Sequence, residues 1–194
     1  HAPFAELAPC AVDPLVREVT ARRYRQALSA ARQLGIRRLV IHSGYIPLVY
    51  FPEWFTEQSV AFWREFLPEV PEDMVLALEN VMDETPQLMT DIVRQVDDPR
   101  LGLCLDVGHA NTCASRTPPM EWIAPMAPYL RHVHLHNNLG DWDLHSSLGD
   151  GEILMQQILA ALLEQCPAST WTIENQDCAP SLAWLAQRGY LSEE

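Results

Sequence analysis

The sequence predicts an α/β fold built on a parallel sheet, and three observations predict it. Short apolar runs alternate strictly with helix-periodic segments along the 194 residues. The runs are apolar at consecutive positions, as strands covered on both faces are. The stretches between them are too long for hairpins, so right-handed βα crossovers are the default connection. No linker, repeat or low-complexity tract divides the chain, which reads as one domain over 1–194.

Each element has its own justification. Residues 14–34 carry helical periodicity, with Asp13 as N-cap, Pro14 in the first turn and Gly35 as C-cap. RRLVIH (37–42) is the first strand-like run. Helix returns at 59–67, where Pro68 ends it, and MVLALE (74–79) is the next strand. A helix near 85–96 opens on Thr85 and Pro86, and LGLCLD (101–106) follows it. Residues 120–130 read as a helix interrupted by Pro125 and Pro128, before the strand LRHVHLH (130–136). A helix over 151–165, the strand TWTIE (170–174) and a closing helix over 180–189 complete the series.

Composition bounds the chemistry. The net charge is −13, and all 13 basic residues are arginine. Without lysine there is no Schiff-base chemistry, which excludes lysine-dependent aldolases and pyridoxal enzymes. An acidic chain also lacks the electrostatic footprint of a nucleic-acid binder, although bound divalent cations would offset several charges. The five cysteines, Cys10, Cys104, Cys113, Cys166 and Cys178, are odd in number and form no C-x-x-C pair. They predict small buried residues rather than a disulfide framework, and a reducing cytoplasm as the compartment. No apolar run approaches the ~18–20 residues that span a bilayer, so neither a membrane partner nor a secretory leader is expected.

The strand ends carry the function. In parallel α/β architectures the site lies at the carboxyl ends of the strands. Those ends are His42, Glu79, Asp106, His134 with His136, and Glu174. A buried carboxylate at the end of an apolar run is costly unless it is paired or holds a cation. Two loop motifs extend the set. Asp106-Val107-Gly108-His109 brings a further imidazole three residues past a strand end, and Asp143-Leu144-His145 puts a carboxylate and an imidazole on one side of an extended segment. Mixed histidine and carboxylate ligands suit zinc or manganese better than calcium or magnesium.

HAPF (1–4), IHSGY (41–45), LEN (78–80), LDVGHAN (105–111), HLHNN (134–138), DLHSSLGDGEI (143–153) and TIEN (172–175) resemble, in order, the motifs of the xylose-isomerase-like TIM barrels. That superfamily joins sugar-phosphate isomerases and epimerases with apurinic endonucleases of the endonuclease-IV type (AP endonuclease family 2). The resemblance implies a (β/α)8 barrel in which the chain supplies strands three to eight. Two βα units, about 50–60 residues of a usual barrel of ~250, would precede the strand that ends at His1. Three accounts are open: an omitted N-terminal region, which is the favoured one, a second chain that completes the barrel, or a fragment.

The same resemblance implies the site. An isomerase-type centre would hold one divalent cation, zinc or manganese, on Glu79, Asp106, His134 and Glu174. Glu79 and Glu174 would also face the substrate carbon from opposite sides and move its proton. An endonuclease-type centre would hold up to three zincs by adding His1, His42, His109, Asp143 and His145, with Glu79 bridging two of them. His136, on the same side of its strand as His134, and Tyr45, in the loop after the His42 strand, are candidate substrate contacts.

Plainer readings stand beside these. The four-residue core could be a buried ion-pair network, and His42, His109, Asp143 and His145 could hydrogen-bond substrate instead of ligating. His136 and Tyr45 serve packing as well as contact, and His132 is structural. The glycine-rich LGDGEI turn (148–153) is a phosphate cradle at a helix N-terminus or a tight turn with a cap. The leading functional expectation is a metal-dependent isomerase or epimerase acting on a small sugar or sugar phosphate, with a homo-oligomer allowed. The alternative is zinc-dependent phosphodiester hydrolysis at abasic DNA sites, and the third is a non-catalytic binding barrel.

Overall fold

The computed structural model describes residues 1–191. Six helices alternate with five strands: α1 (Pro14–Gln33), β1 (Arg38–His42), α2 (Pro52–Phe66), β2 (Val75–Glu79), α3 (Pro86–Val96), β3 (Leu101–Asp106), α4 (Pro119–Met126), β4 (Leu130–Leu135), α5 (Met155–Gln165), β5 (Thr170–Ile173) and α6 (Ala179–Gln187). All strands are parallel and each pairs with its neighbour in sequence, giving the order β1-β2-β3-β4-β5. Sequential order without a switch point is the topology of a barrel, and the sheet is the larger part of one. The residues that would end strand three lie beside β1, where Ala2 N–H donates to the Val40 carbonyl at 2.9 Å.

The two faces of the sheet divide the sequence by parity. Leu39, Ile41, Leu76, Leu78, Leu103, Leu105, Val133 and Leu135 pack against the helices in the main core. Burying each such side chain contributes about 1.5–3 kcal/mol. The alternate residues face the barrel interior, where Val40, Ala77 and Cys104 form a separate small cluster. One step further along the same parity come His42, Glu79, Asp106 and His134. The helix-facing residues thus fix the register that aims these four side chains inward.

One irregularity makes this work on β4. Leu103 pairs with Leu130 but Cys104 pairs with His132, so Arg131 is an extra residue. That bulge switches the parity of β4 and puts His132 and His134 on the interior side with Cys104 and Asp106. Gly102 admits it, because a Cβ there would lie 2.4 Å from Arg131 Cγ.

The helix boundaries refine the expectations. Asp13 caps α1 as predicted, its carboxylate accepting from Leu15 N–H at 2.8 Å, and Gly35 ends it at φ +69°. α2 begins earlier than the periodicity indicates, at Pro52, whose ring is preset for a first helical turn. α5 begins later, at Met155. Residues 151–153 wrap the Asn137 side chain instead, with Ile153 N–H donating to its Oδ1 at 3.0 Å. All five cysteines are free. No helix among the described residues is long and apolar enough to cross a membrane.

Candidate metal centre

The nine predicted ligand side chains converge at the carboxyl end of the sheet in three groups, each with ligand atoms within 4.8 Å of one another. The middle group is Glu79, Asp106, His134 and Glu174. A second comprises His1, His42 and Glu79, and a third His109, Asp143 and His145 together with His136. Glu79 belongs to two of them. Its Oε1 lies 3.0 Å from His134 Nδ1, while its Oε2 lies 3.0 Å from His1 Nε2 and 3.5 Å from His42 Nε2.

The far side of three of the imidazoles shows how these residues fit a cation. His1 Nδ1–H donates to the Ala2 carbonyl at 2.6 Å, His109 Nδ1–H to that of Asn80 at 2.8 Å, and His145 Nδ1–H to that of Glu174 at 2.6 Å. In each ring the carbonyl retains one proton on Nδ1 and leaves Nε2 to ligate, as outer partners of metal-bound histidines do. Each of those Nε2 atoms faces a carboxylate: Glu79 for His1, and Asp143 for His109 (3.2 Å) and His145 (2.9 Å). The donor set therefore fits a divalent cation. His132 does not share the pattern, since Thr170 and Thr172 hydroxyls occupy both its nitrogens.

Electrostatics agree. Burial would push the Glu79 carboxyl up, but hydrogen bonds from His1 and His134 hold it at about 2. Asp106, equally buried, lies well below its ordinary value beside His109, His134 and His136. Burial would lower His109, yet Asp106 and Asp143 raise it to about 10, and His134 is raised further by Asp106, Cys104 and Glu79. His42 is the exception, lowered by burial to about 4. Protons on imidazoles thus balance the carboxylates where a cation would otherwise do so.

Asparagines hold this constellation; they stand inside the LEN, HLHNN and TIEN motifs, but no role of their own was legible in the sequence alone. Asn80 exchanges two hydrogen bonds with the Asp106 backbone, at 2.8 and 3.0 Å. Asn175 clamps the His145 and Ser146 carbonyls, and Asn138 donates to the Gly108 carbonyl. The available signal was position: Asn80 and Asn175 each directly follow a strand-end glutamate. Asp83 is a further buried partner, accepting from Ser43 Oγ at 2.7 Å and Val81 N–H at 3.1 Å. Burial raises its carboxyl to about 6.

The two candidate substrate contacts, Tyr45 and His136, are both buried. Tyr45 is 4% exposed and packs edge-on against Phe55 at 4.9 Å, and it shares no hydrogen bond or ring contact with the nine ligands among the described residues. His136 is fully buried, with Nε2 2.9 and 3.2 Å from the two Asp106 oxygens. The LGDGEI turn is locked by Asn137, which donates to the Leu148 and Ile153 carbonyls, and a Cβ on Gly151 would lie 2.3 Å from Asn137 Oδ1. Tight packing accounts for its glycine.

Residues 1–187 match the family model of the xylose isomerase-like TIM barrels. The chain belongs to that family. Among its relatives is the uncharacterized protein MJ1311 of Methanocaldococcus jannaschii, 31% identical over 187 residues. That match takes in 91% of this chain and 64% of the relative, so the chain spans just under two thirds of the relative's length. A crystal structure of a D-tagatose 3-epimerase-like protein superposes with a TM-score of 0.83 at 28% identity, over 98% of this chain and 74% of that one. The TTHB071 protein from Thermus thermophilus, in a crystal soaked with zinc chloride, gives a TM-score of 0.76 at 29% identity, over 100% and 78%. TIM barrels carry their sites at the carboxyl ends of the strands, which is where this chain gathers its three groups.

Proposed function

We propose that this chain carries the metal centre of an enzyme of the sugar isomerase and epimerase kind, acting on a small sugar or sugar phosphate. One observation carries the reading: Glu79 and Glu174 close on the same group as Asp106 and His134, with His134 Nδ1 3.0 Å from Glu79 and 3.2 Å from Glu174. Glu79, Asp106, His134 and Glu174 would hold one divalent cation, manganese or zinc, whose charge makes a proton beside a carbonyl more acidic. Glu174 is the more accessible glutamate, at 28% side-chain exposure against 1% for Glu79, and would take that proton first. Glu79 faces the interior side, where His1 is hydrogen-bonded to it at 3.0 Å and raised in pKa. His1 would supply the proton that Glu79 passes to the opposite face of the carbon, while Glu174 gives its proton up to solvent. The kinship with an epimerase-like structure supports the same chemistry.

A second reading is favoured by the division of nine ligands into three groups with Glu79 shared. Four ligands suffice for proton transfer, and a three-cation centre suits hydrolysis of a phosphodiester at abasic DNA sites. The charge of −13 opposes a nucleic-acid partner. Elemental analysis of protein purified without chelator separates the readings. One manganese, cobalt or zinc per chain supports isomerisation, three zincs support hydrolysis, and no bound metal would sink both. On an active sugar, Glu174→Gln should cut kcat at least about 100-fold with the fold intact; full activity in that variant would refute the two-glutamate mechanism.

A further inference from the structure

We propose that His136 is a positioning residue rather than a fourth ligand of the third group: it donates Nε2–H to Asp106, backs the His145 ring, and so couples the middle group to the third. The inference rests on the metal reading above but not on which reaction the centre performs.

By distance alone His136 qualifies as a ligand. Its Nε2 lies 3.6 Å from Asp143 Oδ1 and within the span of the third group. The far side of the ring argues otherwise. When His1, His109 or His145 offers Nε2 to a cation, the proton that stays on the ring rests on a backbone carbonyl. His136 Nδ1 is buried and has no hydrogen-bond partner among the described residues. A proton moved there would be a buried donor without an acceptor, costing about 1–3 kcal/mol. The proton therefore stays on Nε2, facing two acceptor-only oxygens of Asp106 at 2.9 and 3.2 Å.

The ring is also wedged in place. It is 0% exposed and stacks on His145 at 3.9 Å with 8° between the planes. Its other neighbour is Gly108, where a Cβ would lie 1.8 Å from His136 Cε1. One imidazole thus fixes the orientation of a carboxylate in one group and an imidazole in the next.

The test reads proton position and zinc affinity, not turnover. In ¹⁵N-labelled protein, His136 should show a protonated Nε2 and a bare Nδ1, unchanged as zinc is added, while Nε2 of His109 and His145 take on metal-bound shifts. In chelator competition, His136→Ala should weaken zinc about 10–100-fold, as loss of an outer partner does. His136→Gln, whose amide N–H can replace the Nε2 donor, should recover most of that loss. A metal-bound shift at His136 Nε2 would make it a ligand and overturn the proposal, as would unchanged zinc affinity in the alanine variant. If His136→Ala fails to fold, the glutamine variant and the wild-type spectrum still decide: a bare Nε2, or glutamine no better than asparagine, counts against it. A chain that takes up no zinc fails the metal reading itself, which is a different result.

Discussion

Gly108→Ala should be one of the most costly single-methyl additions in this molecule, and the reason is spatial. Gly108 has φ −70° and ψ −44°, a helical conformation that alanine adopts freely, so the backbone gives no reason for glycine. The added Cβ would lie 1.8 Å from Cε1, 2.3 Å from Nδ1 and 2.4 Å from Nε2 of His136. Ordinary carbon contacts begin near ~3.5 Å, so the ring must retreat by about 1.5 Å or more. Its stack on His145 and its bond to Asp106 leave no free direction. Overpacking costs about 1–3 kcal/mol, and losing a hydrogen bond to a charged group about 1.5–3. The expected destabilisation is about 3–5 kcal/mol, read by urea unfolding in the presence of chelator. A double-mutant cycle isolates the cause: in a His136→Ala background the same change should cost less than about 1 kcal/mol. Equal costs in the two backgrounds, or a cost below about 0.5 kcal/mol in the parent, would refute the reasoning.

Two further outcomes follow from the charge arrangement. Asp83 titrates at about 6 in the folded chain against 3.8 in an ordinary setting, so the folded state holds its proton more tightly. Stability linked to this group therefore falls as pH rises from about 4 to 6. Relative to the parent, Asp83→Asn should gain about 2 kcal/mol between pH 4 and pH 7, measured by denaturation at both; a pH-independent difference would remove Asp83 as the cause. Cation loading at pH 7 should release protons, because His109, raised to about 10, carries one that the cation must displace. Zinc affinity should weaken as pH falls, and an indicator dye in weak buffer reads the release directly; loading with no proton release would contradict the ionisation states described above.

Much of this was legible in the sequence, for a definite reason. A ligand at the end of an apolar run announces both the strand and its function, so His42, Glu79, Asp106, His134 and Glu174 could be read one run at a time. Features that depend on contact between runs were not legible. The bulge at Arg131 answers to Gly102 on another strand. The delayed start of α5 answers to Asn137, whose amide competes with the helix for residues 151–153. Tyr45 and His136 have the chemistry of substrate contacts, but burial places one in the core and the other behind Asp106. The role of the asparagines in the LEN, HLHNN and TIEN motifs was not legible because an amide after a strand reads as an ordinary turn residue.

The carbonyls that steady His1, His109 and His145 belong to Ala2, Asn80 and Glu174, and they are main-chain atoms. Any residue at those positions would present the same oxygen. A survey of side-chain substitutions would therefore pass over these three supports, even where, as at Asn80 and Glu174, the side chain has a separate part in the centre. For these three supports, what must be preserved is the path of the peptide planes and not the side chain that each plane carries. Insertions or deletions of a single residue beside Ala2, Asn80 or Glu174 would move these carbonyls, which exchanges of side chain leave in place.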